Sequence, residues 1–228
     1  MQCVILAAGK GTRLRPLTDE VPKPLVRVGG KTILEHIIGA LPECIDEVIL
    51  IIGYKGDMIR EYCGEEFLGR RMVYREQENH AGGTGDALMC ARDILNGKFL
   101  FMYGDDIHGS EVLKQAVEED HAMLSATSET PERYGVLVTN EDGTLKEILE
   151  KPKNPPSNLI NIGGFVIHTE IFKYKCERAD TGELYVTDML TDYAKEFPVK
   201  VLVQDVWLPI GYPEDIPKAE DFLQKNNR

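Results

Sequence analysis

The chain has 228 residues, of which 43% are hydrophobic and 28% charged, proportions typical of a soluble globular protein. No run approaches the roughly 18 apolar residues that a membrane span requires, and the apolar start lacks the basic lead-in of a signal peptide. The five cysteines form no CxxC pair, so we expect neither a disulfide framework nor a zinc site. These features predict a cytoplasmic protein.

The net charge of −12 at pH 7 argues against nucleic acid or an anionic membrane as a partner. The charge is uneven, because residues 1–34 hold six cations and two anions, a net charge of +4, which leaves −16 on the remainder. Such a segment can hold a small anionic ligand. A solvated basic loop explains the same composition, and charge alone does not separate the two interpretations.

In chain order, the first half alternates apolar runs of strand length with helical patterns. The runs predict strands at residues 2–8, 47–52, 72–75 and 99–103. Helices are predicted to follow Thr32, which has a capping box with Glu35, to span residues 56–63, and to begin at Thr84 as a cap. Strands separated by helices imply right-handed crossovers and parallel pairing.

The second half has strand patterns that adjoin without helices between them, at residues 123–127, 135–139, 144–149, 162–168 and 200–203. Residues 140–143 form a turn that predicts a hairpin. The whole chain therefore predicts one α/β domain of Rossmann-like type, with a central mixed, mostly parallel sheet flanked by helices.

Glycines at 9 and 11 follow the first strand, where backbone N–H groups can approach a phosphate closely. A dinucleotide fingerprint would need a third glycine where Leu14 stands, which excludes a dehydrogenase of that type. The cations Arg13, Arg15 and Lys23 favour a phosphate-binding turn over a tight turn with surface bases.

Nine segments, spread over nearly the whole chain, resemble the signature of sugar-1-phosphate nucleotidyltransferases, also called NDP-sugar pyrophosphorylases. They are LAAGKGTRLRPLT at 6–18, PKPL at 22–25, Gln77, GGTG at 82–85, YGD at 103–105, YGV at 134–136, EKP at 150–152, NIG at 161–163 and WL at 207–208. The chain most resembles glucose-1-phosphate thymidylyl- and uridylyltransferases and the pyrophosphorylase domain of N-acetylglucosamine-1-phosphate uridylyltransferases. The β-helix that follows this domain in bifunctional members is not expected.

The resemblance implies transfer of a nucleotidyl group from UTP or dTTP to glucose 1-phosphate or N-acetylglucosamine 1-phosphate, with release of pyrophosphate. It assigns residues 1–110 to the nucleotide and 111–228 to the sugar. Catalytic roles fall on Arg13, Lys23 and Asp105, and Asp105 would also hold Mg²⁺. The implied nucleotide-binding residues are Leu6, Ala8, Gly9, Gly11, Thr12, Gln77, Gly82, Gly83 and Thr84, and the sugar-phosphate residues are Gly135, Glu150, Lys151 and Asn161.

One position departs from the family pattern. Many relatives carry Asp, as a second metal ligand, two residues after the tryptophan of the last strand, where this chain has Pro209. Asp205 would lie too far along an extended strand to replace it. Asp106 is expected to face away from Asp105, because neighbours on a strand point to opposite faces.

Several alternatives stay open at this level. Pro209 favours a catalytically silent nucleotide-sugar-binding subunit of the same fold. A glycosyltransferase would need a DxD motif, which Asp105-Asp106-Ile107 does not supply. The base can be uracil, thymine or cytosine. The segment around Gln77 is also compatible with a loop that binds no ligand. The resemblance further implies that homo-oligomers can form, and the scattered histidines are expected to be core or surface residues.

Overall fold

The computed structural model describes residues 1–79, 82–174, 182–204 and 206–226 of the chain. A mixed sheet of ten strands lies at its centre, and two short two-stranded sheets accompany it. A search of the described ranges found no helix with the length and apolar character needed to cross a membrane.

The strands of the described ranges are β1 (Gln2–Ala7), β2 (Arg27–Val28), β3 (Lys31–Thr32), β4 (Glu47–Ile52), β5 (Glu66–Phe67), β6 (Arg70–Glu76), β7 (Lys98–Tyr103), β8 (Asp106–His108), β9 (Ala122–Thr127), β10 (Gly135–Thr139), β11 (Leu145–Glu150), β12 (Leu159–His168), β13 (Lys200–Val203) and β14 (Trp207–Pro209). The α-helices are α1 (Leu17–Glu20), α2 (Ile33–Ala40), α3 (Gly56–Cys63), α4 (Gly83–Met89), α5 (Ser110–Glu118), α6 (Val186–Tyr193) and α7 (Asp215–Asn226).

Four parallel strands from the first half lie side by side in the order β7, β1, β4, β6. The register places Gln2 of β1 opposite Glu47 of β4 and opposite Phe99 of β7. Because these strands run in one direction, their carboxyl ends meet at one edge of the sheet. Open α/β sheets place their ligands at that edge.

The second half extends the sheet mostly with antiparallel strands. Strand β12 pairs antiparallel with β7, β9 and β10, and β11 pairs antiparallel with β10, whereas β13 pairs parallel with β9. The prediction of one α/β domain with a mixed sheet is confirmed. Its parallel pairs are concentrated in the first half, where strands and helices alternate, and antiparallel pairs take a larger share of the second half than the sequence indicated.

Two apolar layers cover the two faces of the sheet, and β1 contributes to both. Cys3 and Ile5 belong to one layer and Val4 to the other, and all three side chains are fully buried. A strand buried on both faces reads as a continuous apolar run, which is how β1 was recognised. The core therefore fixes the end of β1 and the turn that follows it.

Local predictions in the sequence have mixed outcomes. The capping box is confirmed, since the amide of Glu35 donates to Thr32 Oγ1 at 3.0 Å and the amide of Thr32 donates to Glu35 Oε2 at 2.6 Å. The predicted hairpin is confirmed by the antiparallel pairing of β10 with β11. The prediction that Thr84 caps α4 is wrong. Gly82 occupies the cap position, and Thr84 Oγ1 instead accepts a hydrogen bond from the amide of Val186 at 3.1 Å.

Candidate active site

The first segment of the site is the turn after β1. Ala8 is only 8% exposed and accepts a backbone hydrogen bond from Tyr54, at 3.1 Å, which continues the sheet edge. Gly11 has a φ of 60°, and a Cβ there would lie 3.0 Å from Lys23 Cβ and 3.0 Å from Thr18 Cγ2. Glycine suits both the left-handed backbone and this close approach. The turn is therefore pressed against Lys23.

The same turn presents a row of backbone amides. The amides of residues 9–13 donate to no acceptor within the described part of the chain, and the next amide, of Leu14, donates to the carbonyl of Gly11 at 2.9 Å. Thr12 begins a short 3₁₀ turn (Thr12–Leu14) that keeps the amides grouped. Successive amides around a left-handed residue form a concave anion-binding surface. The turn can therefore hold phosphate through its backbone.

The two arginines of this turn have different surroundings. Arg15 Nε lies 3.1 Å from Asp19 Oδ1, and both side chains are well exposed. Arg13 has no ion pair among the described residues, and its guanidinium carbon lies 5.7 Å from the ring centre of Tyr212. An aromatic ring attracts a guanidinium and leaves its N–H donors available. Arg13 is the arginine that can bind a phosphate here.

A second segment of the site follows β7. The amide of Gly104 donates to the carbonyl of Leu6 at 2.9 Å, and a Cβ on Gly104 would lie 2.2 Å from that oxygen. Gly104 therefore lets the turn cross directly against β1. This crossing carries Asp105 to Lys23, whose Nζ lies 2.9 Å from Asp105 Oδ2. The two residues are 82 positions apart in the sequence.

Asp105 and its neighbour Asp106 have different partners, although not for the reason expected from a strand. Asp105 lies in the turn, and β8 begins at Asp106. The Asp106 carboxylate accepts a hydrogen bond from Trp207 Nε1 at 3.0 Å. Burial, and then the charge of Asp105, raise the pKa of Asp106 above its ordinary value. The neutral form of Asp106 is therefore favoured, while Asp105 faces Lys23.

Pro209 lies directly opposite Asp106 in the antiparallel pair of β14 with β8. It offers no side-chain donor, and Asp205, the other acid considered, is outside the described residues. Within the described ranges, no group of three or more His, Cys, Asp or Glu side chains could hold a metal ion. Mg²⁺ usually binds one or two carboxylates together with substrate phosphates and water. Asp105 can therefore serve as one ligand of a Mg²⁺ ion that binds together with a triphosphate.

A third segment lies at the ends of β4 and β6. Gln77 follows β6 and is 7% exposed, and its Nε2 donates to the Gly83 carbonyl at 3.1 Å and to Asp86 Oδ2 at 3.2 Å. Gln77 also lines a cavity of about 270 Å³ between these strand ends and α3. The amide group is thus held at the same sheet edge as the turn after β1.

The glycines at 82 and 83 hold this segment close to residues ahead of α6. Gly83 has a φ of 82°, and a Cβ there would lie 2.5 Å from the carbonyl oxygen of Leu184. The amide of Leu184 in turn donates to the Gly82 carbonyl at 2.9 Å. Gly83 is therefore required for this packing, and Gly82 is held beside Leu184 by its backbone.

Tyr103 connects the parts of the site. Burial and the charge of Asp105 raise the pKa of its hydroxyl above the ordinary value, and the side chains of Asn161 and Thr84 lie near that hydroxyl. Gly163, with a φ of 77°, packs against this ring, where a Cβ would lie only 2.0 Å from Tyr103 Cδ2. Tyr103 was quoted in the sequence motif without a role. The sequence feature that could have indicated a role for Tyr103 is its position at a strand end, next to Gly104.

The second half supplies a group of polar residues. Gly135 pairs with Glu150 across β10 and β11, and a Cβ on Gly135 would lie 3.4 Å from Glu150 Oε2 and 3.6 Å from Asn161 Cβ. Lys151 Nζ lies 3.3 Å from Glu150 Oε1, and Lys151 has a φ of 44°. The four residues that the resemblance assigned to the sugar phosphate are therefore close together. A hydroxyl-bearing ligand could meet acceptors, a donor and a cation here.

His121 and His168 lie apart from these groups, whereas His108 ends β8, which begins directly after Asp105. His121 and His168 have ring centres 5.0 Å apart, and His168 pairs with Lys98 at the amino end of β7, the edge opposite the site. Burial lowers the pKa of His108 to about 4, and its Nδ1 lies 2.8 Å from Gln204 Nε2. The expectation of core or surface histidines stays a prediction for His80, which is outside the described residues.

Comparison with known proteins identifies relatives of the whole described chain. It is 36% identical over 237 residues to UTP–glucose-1-phosphate uridylyltransferase AglF of Haloferax volcanii, covering 99% of this chain and 97% of that protein. It is 35% identical over 226 residues to the bifunctional protein GlmU of Methanocaldococcus jannaschii, covering 98% of this chain and 54% of that one. The chain thus spans about half the length of such bifunctional relatives.

Solved structures show the same architecture. A Bacillus anthracis protein assigned as a glucose-1-phosphate thymidylyltransferase, in complex with a sucrose, matches all of this chain and 97% of its own at a TM-score of 0.86 and 27% identity. A UDP-glucose pyrophosphorylase complexed with UDP-glucose matches 100% and 99% at a TM-score of 0.85 and 22% identity, a likeness of fold alone. The model of the nucleotidyl transferase family matches residues 2–226, and the chain belongs to that family.

Proposed function

We propose that the chain transfers a nucleotidyl group from UTP or dTTP to a sugar 1-phosphate, with glucose 1-phosphate and N-acetylglucosamine 1-phosphate as the favoured acceptors. An oxygen of the sugar phosphate attacks the α-phosphorus of the triphosphate. The bond from the α-phosphorus to the bridging oxygen breaks, and pyrophosphate leaves. The observation that carries the proposal is the row of amides at residues 9–13 beside the Lys23–Asp105 ion pair.

The turn after β1 stabilises the charge that builds up during attack. Its amides and the Arg13 guanidinium are donors that need little rearrangement to meet phosphate oxygens, and such preorganised donors account for much of enzymatic rate enhancement. Lys23 is only 15% exposed, so its charge acts with little screening by water. When the two phosphates bind, Lys23 leaves Asp105 and neutralises the attacking and attacked groups. The protein's main contribution is alignment and charge stabilisation.

Asp105 would hold Mg²⁺ together with oxygens of the triphosphate, and the ion would neutralise part of the phosphate charge when bound. The carboxylate is a hard oxygen donor at the carboxyl end of a parallel strand. Its present partner is the Lys23 ammonium, so binding of the nucleotide exchanges one cationic partner of Asp105 for another.

Glu150 and Asn161 are proposed to bind sugar hydroxyls, with Gly135 leaving room for the ring. Gly135 provides that room because it carries no side chain next to Glu150 Oε2 and Asn161. Lys151 is proposed to meet the sugar phosphate, since its side chain is 57% exposed and extends from the end of β11. These groups would place the attacking phosphate toward the turn after β1.

A silent nucleotide-sugar-binding subunit is the second candidate, and Pro209 opposite Asp106 is the observation that favours it. The retained Arg13, Lys23, Asp105 and Lys151 oppose it, because a subunit that only binds nucleotide sugar has no need of all four. Cytoplasmic location and homo-oligomer formation stay predictions from the sequence.

The proposal is tested by a pyrophosphate-release assay with Mg²⁺. UTP, dTTP, CTP, ATP and GTP are each combined with glucose, N-acetylglucosamine and galactose 1-phosphates. We expect pyrophosphate only when both substrates are present, with the highest rates for UTP or dTTP. No release in any combination, together with tight binding of UDP-glucose, would identify the silent subunit instead.

A further inference from the structure

Asp86, in the first turn of α4, has no role in the reaction as described so far. Its Oδ2 accepts one hydrogen bond from Gln77 Nε2 at 3.2 Å, while the Gly83 carbonyl accepts another from the same nitrogen at 3.1 Å. A side-chain amide has two N–H donors. Both donors of Gln77 are therefore engaged within the protein.

The orientation of the Gln77 amide follows from the nature of these two partners. A backbone carbonyl and a carboxylate can only accept hydrogen bonds, so the nitrogen and not the oxygen of Gln77 must face them. Turning the amide over would set Gln77 Oε1 against two other oxygens. The oxygen is consequently the part of the amide left to meet a ligand, in a side chain that lines the cavity at the ends of β4 and β6.

Asp86 is itself held in place by close packing. A Cβ on Gly82 would lie 2.4 Å from Asp86 Oδ2, so only glycine leaves the space that this carboxylate occupies. The carboxylate that orients Gln77 is therefore packed closely against Gly82.

We propose that Asp86 is a positioning residue that fixes Gln77 as a hydrogen-bond acceptor, and thereby selects a base with a ring N–H donor. This inference rests on the proposed transferase function and on its assignment of Gln77 to the base. Uracil and thymine carry a hydrogen on ring nitrogen N3, whereas cytosine has an acceptor lone pair at that atom. Gln77 Oε1 attracts the first two and repels the third, so among pyrimidine nucleotides the substrate is a uridine or thymidine triphosphate.

The test compares variants at residue 86 by their preference for UTP over CTP. Asp86→Ala removes one acceptor, so the Gln77 amide can turn a donor toward the base, and the ratio of kcat/KM for UTP to that for CTP should fall about tenfold. Asp86→Asn keeps a carbonyl acceptor and should hold the ratio within about threefold of the wild type. A loss of packing alone would lower both activities together and leave the ratio unchanged.

Two further variants isolate the effect. Asp93 is an exposed acid that pairs with Arg75 and does not line this cavity, and Asp93→Ala should leave the ratio unchanged. Gln77→Ala should bring the ratio close to one, and adding Asp86→Ala to it should change nothing more, because Asp86 acts only through Gln77. An equal effect of Asp86→Ala with and without Gln77 would overturn the inference.

The design separates this inference from the proposed function. If the wild type shows no turnover with any triphosphate, the transferase proposal fails, and the same variants are compared by calorimetric binding of UDP and CDP. A wild-type preference for UDP that Asp86→Ala reduces about tenfold would still support the positioning role. An Asp86→Ala variant with the wild-type preference, in either assay, would contradict it.

Discussion

Two regions adjoin the Lys23–Asp105 ion pair, and they are built in opposite ways. The turn after β1 packs on Lys23 and presents the amides of residues 9–13 without acceptors in the described structure. The two-stranded sheet of β8 and β14 begins next to Asp105, and its polar side chains bond to groups of the protein itself, through the Asp106–Trp207 and His108–Gln204 hydrogen bonds. The first region can bind a charged ligand, whereas the second favours neutral forms of its own acidic and basic side chains.

This difference shows in the ionisation of the side chains in the β8–β14 sheet. Burial raises the pKa of Asp106 above its ordinary value and lowers the pKa of His108 to about 4, which favours the neutral form of both side chains. An anionic ligand at the turn consequently meets Asp105, with Lys23 beside it, rather than a cluster of ionised acids. Changes in the turn after β1 should therefore affect turnover, while changes in the β8–β14 sheet should affect stability and metal binding.

The largest effect is expected in the turn. Arg13→Ala should lower kcat/KM by about 10²–10³, since it removes a donor aimed at the phosphates, while the fold persists. Arg15→Ala is the matched control, because Arg15 is exposed and pairs with Asp19. It should change kcat/KM by less than about threefold, as expected for a surface ion pair. Steady-state kinetics with circular dichroism would check both, and a near-normal rate for Arg13→Ala would refute its role.

Asp105→Ala should lower kcat/KM by about 10²-fold, because it removes the proposed carboxylate for Mg²⁺ and the partner of Lys23. The control is Asp93→Ala, an exposed acid paired with Arg75 at 3.3 Å, which should keep its activity. Direct Mn²⁺ binding in the presence of UTP should weaken by at least about tenfold in the first variant only. Full activity of Asp105→Ala would show that another residue holds the metal.

Much of the first half could be predicted from the sequence because its signals are local. Strand β4 and helix α3 have the predicted boundaries, set by an apolar run and by glycines that flank the helix. Helix α7 was not predicted, because it contains Pro217. Proline usually interrupts a helix, but it is tolerated in the first turn, where Pro217 lies. Helix α5 was missed as a short amphipathic segment without a side-chain cap.

The site was less predictable, because its contacts join distant parts of the chain. No spacing rule connects Lys23 with Asp105, and the family resemblance was what suggested that they act together. The contacts of Tyr103, Asp86 and Tyr212 depend on how loops cross at the sheet edge, which a single sequence does not encode in local patterns. These side chains became visible as parts of the site only in three dimensions.

The free energy of unfolding should depend on pH through His108 in the β8–β14 sheet. His108 is neutral in the fold, with a pKa of about 4, and would protonate near its ordinary pKa of 6.5 when unfolded. The stability it contributes is therefore present above about pH 6.5 and is lost as pH falls toward 4, by about 2 kcal/mol at pH 4.5. Urea unfolding should show that His108→Gln loses about 2 kcal/mol less than the wild type between pH 7 and 4.5. Parallel losses would contradict this assignment, and the comparison cancels the contribution of Asp106.

The smallest effect is expected at Pro209. Pro209→Asp sets a second acid opposite Asp106, so Mg²⁺ should bind more tightly than in the wild type, by less than about tenfold. Pro209→Asn, which adds an uncharged oxygen donor, should show a weaker effect. An unchanged Mg²⁺ titration for Pro209→Asp would show that the missing acid does not matter.

The most direct test of the account follows phosphorus atoms through the reaction. The wild-type protein is incubated with Mg²⁺ and the nucleoside triphosphate and sugar 1-phosphate that release most pyrophosphate, with ³²P placed either in the α-phosphate or in the sugar phosphate. We expect both labels to appear in the same nucleoside diphosphate sugar, in equal amounts and matched by the pyrophosphate released. Recovery of the sugar label as inorganic phosphate, or in no product at all, would contradict it.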